Sequence, residues 1–317
     1  MFAAGCRALM ATKGREARYF KPFTLNPGLA DGETAFFRTV FGDDAVLKSP
    51  QLIGADDLKD GLGAAASSLQ KELASAGGAD ICIDGLSAAG DSGKASADIA
   101  RLGGAEVIAV VRYQRRMDLG PVLGLKETFG DMLRGVALNA VPQQSMREAR
   151  EEAAPALRRA GVDTVGITPE DRLLLGFSVA DYCTRLSGRI MNNMERADEI
   201  VESLLVGANA LDPGEEYYDR VHNKALITRG DRPDLQFSAL NTLTRCLILT
   251  NGVEPIPYVL DRAVEQEVPI VVVPEGTLAT ISAIERFIAD PMFHHRDKLA
   301  RAVAMLDAHL DKSILGL

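Results

Sequence analysis

Residues 224–281 read KALITRGDRPDLQFSALNTLTRCLILTNGVEPIPYVLDRAVEQEVPIVVVPEGTLATI. Three apolar runs, ALIT (225–228), CLILT (246–250) and IVVV (270–273), each end in a polar or Gly-bearing turn, and each turn leads into a helical pattern. Short β-branched runs separated by helices of about ten residues predict βαβ units and a parallel sheet. In such sheets ligands bind outside the carboxyl ends of the strands, so the turns are the candidate site. They read RGDRP (229–233), TNGVEP (250–255) and PEGT (274–277), and offer Asp231, Arg232, Thr250, Asn251, Gly252, Glu275 and Thr277 as ligand-binding residues. Pro233 and Pro255 suit the first turn of the helices that follow, where the missing N–H is not needed. Asp231 and Arg232 have a second reading, as a local pair and a helix cap.

These turns resemble the DRTGG domain, a small α/β module found in the middle of long phosphate acetyltransferases and in stand-alone proteins. The resemblance covers about residues 200–312. Where that family usually has Thr-Gly-Gly, this chain has Thr250-Asn251-Gly252. Asn tolerates left-handed backbone best among residues with a side chain, so the turn is expected to survive the change.

The first two hundred residues repeat the α/β rhythm. ARYF (17–20), DICID (80–84), EVIAVV (106–111), GVALNAV (135–141) and DTVGI (163–167) read as strands of a doubly wound parallel sheet, and PQQSMREAREEAAPALRRAG (142–161) reads as a helix. In order, YFKP (19–22), ICIDG (81–85), VVRY (110–113), GVALNAVP (135–142) and VGITPEDRLL (165–174) resemble the nucleotide-binding domain of dethiobiotin synthetase and the cobyrinic acid diamide synthases. Such a P-loop NTPase-like domain also precedes the DRTGG module in long phosphate acetyltransferases. The whole chain therefore resembles phosphotransacetylase-family proteins without the transferase domain, with domains expected at 1–195 and 200–312.

The resemblance implies ATP and Mg as cofactors. Lys21 would lie near the phosphates, Asp84 would hold the metal through oxygen, and Asn139 would read the adenine edge. Each has a plainer reading: a solvated stem, a helix N-cap and a turn former. The family's phosphate cradle, a first strand and a G-x-x-x-x-G-K-[ST] loop before YFKP, does not stand in this sequence. Either the chain starts late relative to its relatives or the domain has lost that strand. AAGDSGKA (88–95) imitates such a loop, but Ala88 and Ala95 replace the required Gly and the Mg-binding hydroxyl. Asp91, Ser92 and Lys94 are expected in a surface turn and the start of the next helix, and nucleotide binding is expected to be impaired.

Composition bounds the remaining possibilities. With 317 residues, 47% of them hydrophobic, the chain can form two domains with substantial cores. A net charge of −9 argues against nucleic acid or an anionic membrane as partner, since both are met by basic clusters. Cys6, Cys82, Cys183 and Cys246 form no CxxC pair, and only His294 and His295 adjoin among the four histidines, so neither a metal site nor a disulfide framework is indicated. A cytoplasmic location is expected.

Three functions stay open. The leading one is a regulatory or ligand-binding protein that senses a small anionic metabolite or nucleotide. The second is an ATP-dependent ligase whose cradle comes from upstream residues. The third is a structural subunit whose DRTGG module makes homo-oligomer contacts. A complete phosphate acetyltransferase is not expected.

Overall fold

The structure is a computed structural model that describes residues 1–22, 27–48, 62–63, 65–86, 91–208, 214–288 and 293–317, with side chains left aside at 27–32 and 91–92. The chain forms two compact units, residues 1–171 with 293–317, and residues 172–292.

In the first unit, strands β1 (Ala17–Phe20) and β2 (Asp80–Ile83) pair in parallel, and β3 (Val107–Arg112), β4 (Leu133–Val141) and β5 (Thr164–Pro169) form a second parallel set in that order. All five strands lie where the apolar runs predict them. Among the described residues they form two ladders where one sheet was expected. Helices follow or flank the strands: α1 (Phe2–Thr12), α2 (Pro27–Phe41), α3 (Ala65–Ala74), α4 (Asp91–Gly103) and α5 (Gly120–Phe129).

The predicted helix at 142–161 is present but not uniform. It runs as α6 (Met146–Glu148), a π-turn (Ala149–Ala153) and α7 (Ala154–Arg159). Pro155 supplies the reason. Its nitrogen cannot donate to the carbonyl four residues back and its ring crowds that carbonyl, which the wider π-turn relieves.

Strand alternation builds a three-layer core. Val136 and Leu138 of β4 face a cluster with Val122, Leu125, Phe129, Met146 and Leu157, whereas Ala137 between them joins Cys6 and Leu9 of α1 and Leu306. Leu306 belongs to a helix in the carboxyl-terminal segment that returns to this unit. There Asp311 N donates to Val165 O at 2.8 Å, continuing the edge beside β5.

In the second unit, α8 (Arg172–Leu175), β6 (Phe177–Ser178), α9 (Val179–Arg185), β7 (Arg189–Ile190), β8 (Ile200–Val201) and β9 (Ser203–Val206) lead into α10 (Glu215–Tyr218). The βαβ core follows: β10 (Lys224–Arg229), α11 (Pro233–Leu240), β11 (Thr244–Thr250), α12 (Pro257–Glu265), β12 (Ile270–Val272) and α13 (Thr277–Ile288). The final helix, α14 (Arg296–His309), belongs to the first unit. The sheet order is β7-β12-β11-β10-β9, with β7 antiparallel and the rest parallel. Ala225, Ile227, Cys246 and Ile248 face α9 and α13, while Leu226, Leu247 and Leu249 face α11 and α12.

The unit thus starts earlier and ends earlier than the expected 200–312, and the expected junction between Met191 and Gly207 falls within it. Burial explains both ends. Phe177, Tyr182 and Phe287 pack edge to face with centroids 5.1–6.1 Å apart, so residues from 177 onward complete this core. Of the turn-rich GANALDPGEE, residues 209–213 lie outside the described residues. A fragment spanning 172–292 is expected to fold alone with a cooperative melt, and one starting at 214 to fail, because it would lose β7, β9 and the α9 face. Circular dichroism of the two fragments checks this; equal folding of both would refute it.

Candidate functional site

At the carboxyl edge of the second unit's sheet the three predicted turns lock to one another through backbone. Gly230 N donates to Thr250 O at 3.3 Å, Asn251 N to Glu275 O at 2.8 Å, and Gly252 N to Val273 O at 2.8 Å. Thr250 and Thr277 join through their hydroxyls at 2.9 Å. Asn251 and Gly252 both hold left-handed backbone, at φ 68° and 65°. Asn in place of the family's first Gly therefore keeps the turn, as its tolerance of that region predicts. Asn251, Gly252 and Glu275 are exposed, and Thr250 is fully buried.

Asp231 and Arg232 follow the local reading in part. Arg229 grips both oxygens of Asp231, with Nε to Oδ1 at 2.8 Å, and Arg232 grips Asp234 at 2.9 and 2.6 Å. The Arg229 hydrogen bond holds the Asp231 carboxyl below its ordinary range. Neither Asp231 nor Arg232 caps α11 through its side chain. Two guanidiniums thus stand at the first turn, each on a carboxylate two residues away.

Residues that the sequence did not single out shape this edge. Gly230 is required because a Cβ there would lie 2.1 Å from Val253 O. Gln236, fully buried, donates from Nε2 to the carbonyls of Arg229 and Gly230, both at 3.0 Å, and its Oε1 has no partner among the described residues. A Gly at the strand end and a Gln on the helix after it were the available signals.

In the first unit, Lys21 and Asp84 stand just past the paired ends Phe20 and Ile83 of β1 and β2, so the structure brings them to adjacent strand ends. Lys21 forms an ion pair with Glu33 of α2, both largely buried. Asp84 accepts the Tyr19 hydroxyl at 2.9 Å, and burial, then the Asp84 charge, push the Tyr19 phenol up. Asp84 N meanwhile donates to Phe20 O at 2.8 Å. Of the decoy AAGDSGKA, residues 88–90 lie outside the described residues, and α4 starts at Asp91, consistent with Lys94 in the opening of a helix.

Asn139 lies on β4, in the other ladder. Its Oδ1 accepts the Thr168 hydroxyl at 2.8 Å, and Ala140 beside it has φ 54°. Pairing passes from Leu138–Ile167 to Val141–Pro169, so β4 carries one extra residue there. Such a bulge re-aims a side chain at a sheet's edge. Near that end lies a cavity of about 380 Å³ lined by Tyr113, Arg115, Pro142, Gln144, Ser145 and Glu148. Burial, then the Glu148 carboxylate, raise the Tyr113 phenol.

No group of three or more His, Cys, Asp or Glu among the described residues could hold a metal. The four cysteines are free, and burial pushes the thiols of Cys6 and Cys82 up to about 12 and 11. No helix among the described residues is long and apolar enough to cross a membrane.

With this geometry in view, residues 181–287 match the family model of the DRTGG domain, so the second unit carries a DRTGG domain. A structure of the CBS and DRTGG domains of the regulatory region of Clostridium perfringens pyrophosphatase, complexed with the activator diadenosine tetraphosphate, is similar at 17% identity. The match covers 52% of this chain and 77% of that one, with a TM-score of 0.32.

Proposed function

We propose that this chain is a regulatory or ligand-binding protein whose DRTGG unit takes a small anionic metabolite or nucleotide at the turns 229–232, 250–252 and 275–277. The observation that supports it is the backbone lock among the three turns, which fixes Arg229, Arg232, Thr277 and the exposed Asn251-Gly252 turn along one sheet edge. Rigid placement of donors lowers the entropy lost on binding, and guanidiniums already oriented by carboxylates can exchange them for a ligand's oxyanion.

The test is calorimetric titration with ATP, AMP and diadenosine tetraphosphate. Wild type is expected to bind one of them, and Arg232→Gln to bind it about tenfold more weakly with little change in melting. Arg232 is suited because it pairs locally; Thr250 is not, since its buried hydroxyl bonds Thr277 and Thr250→Val should itself lower stability by about 1 kcal/mol. Equal binding by wild type and Arg232→Gln, or none by wild type, would refute the assignment.

A second reading, an ATP-dependent ligase using Lys21, Asp84 and Asn139, draws support from the bulge at Asn139 and the neighbouring cavity. Lys21 committed to Glu33 weighs against it. MgATP is expected to bind the first unit no tighter than about 100 µM. Micromolar binding, abolished by Asn139→Ala, would favour the ligase.

A further inference from the structure

An aromatic pair stands just behind the turns of the DRTGG unit. Phe237 of α11 and Tyr258 of α12 stack with ring centroids 5.3 Å apart and planes within 15° of each other. Phe237 is half-buried, whereas Tyr258 is 65% exposed and meets no other ring among the described residues. The pair is therefore a platform: one face of the Tyr258 ring is backed by protein and the other is open.

Local sequence sets where the platform stands. Pro257 opens α12, so Tyr258 is that helix's second residue and lies at the carboxyl edge of the sheet. The loops before the two helices touch, since a Cβ on Gly230 would lie 2.1 Å from Val253 O. One turn further along both helices, Arg262 Nη2 donates to Asn241 Oδ1 at 3.5 Å. The rings are thus braced on both sides and lose little freedom when a ligand arrives.

A guanidinium lies within one ligand's reach of this platform. Arg232 grips Asp234 at 2.9 and 2.6 Å. Asp234 and Phe237 are three residues apart on α11, which sets their Cβ atoms about 5–6 Å apart on one helix face. Adding the ring spacing puts the Arg232 guanidinium on the order of 10 Å from the outer face of Tyr258. A base stacked on Tyr258 and the phosphates of the same nucleotide span that interval.

We infer that Tyr258, backed by Phe237, is the base subsite of the site at the turns, and that the ligand is a nucleoside phosphate with its base on Tyr258 and its phosphates on Arg232. This rests on the reading of the three turns as an anion site and narrows its ligand to a nucleotide. An open aromatic face suits a flat π-system, because stacking buries both surfaces without a deep pocket. A small acid without a ring would leave Tyr258 unused. Stacking alone reads the presence of a base rather than its identity.

The experiment compares ADP with inorganic pyrophosphate, which carries two linked phosphates and no base, on the full chain at constant ionic strength. Calorimetry should give ADP a Kd at least about tenfold below that of pyrophosphate. NMR should show the adenine ring protons moved upfield by the Tyr258 ring. Tyr258→Ala should bring ADP to within about twofold of pyrophosphate, erase the upfield shift and leave pyrophosphate binding unchanged, while Tyr258→Phe should behave as wild type. Tyr258 is exposed, so both variants should melt as wild type does. Arg232→Gln separates this proposal from the reading beneath it. ADP binding that falls in Arg232→Gln but not in Tyr258→Ala overturns the base subsite and leaves the turns standing. A fall in Tyr258→Ala but not in Arg232→Gln keeps the base subsite and overturns the anion site at the turns. No ADP binding tighter than about 1 mM overturns both. If Tyr258→Ala instead dissociates a dimer of the chain in sedimentation without changing ADP affinity, the stack is a contact between copies and the proposal falls.

Discussion

Gly230→Ala is expected to destabilise the DRTGG unit by roughly 2–3 kcal/mol, lowering its melting temperature by on the order of 10 °C. The new Cβ would sit 2.1 Å from Val253 O and 2.6 Å from Val253 Cβ, and neither is the far end of a flexible side chain. The loop after β11 must move away. Because Gly230 N also donates to Thr250 O, the first turn would separate from the second, and the ligand binding proposed for the three turns should fall along with stability. Gly252→Ala gives the contrast. There the added Cβ would be 3.9 Å from its nearest neighbour, Pro274 Cα, so only the left-handed backbone at φ 65° opposes it, at about 1 kcal/mol. Thermal melts of both variants check the ranking; equal losses would mean that close approach at Gly230 is not what holds the turns.

The second large effect is on pH dependence. Lys224, the first residue of β10, is fully buried, with its ammonium on Thr242 Oγ1 at 2.9 Å and Leu243 O at 3.1 Å. Burial pulls its pKa down from 10.5 to about 8, and Asp219 offsets this only in part. Below about pH 8 the ammonium is charged in both folded and unfolded chains, and its burial destabilises the fold throughout that range. Between about 8 and 10.5 the unfolded chain holds the proton and the folded chain has released it, so stability rises with pH. After allowance for solvent screening the rise is about 1–3 kcal/mol. Lys224→Met should abolish this rise and be no less stable than wild type at pH 7. Urea midpoints at pH 7, 9 and 10.5 measure the difference between the two proteins. Parallel profiles would show that Lys224 keeps its ordinary pKa.

Most of the strand content was legible because buried parallel strands write themselves as short β-branched runs, and every such run named from the sequence is a strand. The candidate turns at 229–232, 250–252 and 274–277 were legible for the same reason: βα turns follow strands, and Gly and Pro punctuate them. That the three turns touch is also a consequence of parallel topology, which places all strand ends on one edge.

Where the units divide was decided by tertiary structure. Phe177, Tyr182 and Phe287 are far apart in sequence and read as three unremarked aromatics, yet their packing draws residues 177–190 into the second unit. Leu306 and Leu310 likewise return the carboxyl-terminal segment to the first unit, where they meet Cys6, Leu9 and Val165. The division of Lys21 and Asp84 from Asn139 into separate ladders and the commitment of Lys21 to Glu33 were equally hidden. A one-dimensional pattern records which residues want burial or a turn, because those preferences act over a few neighbours. Which apolar face meets which, and which charge is left without a partner, depends on contacts between distant segments that only the folded chain brings together.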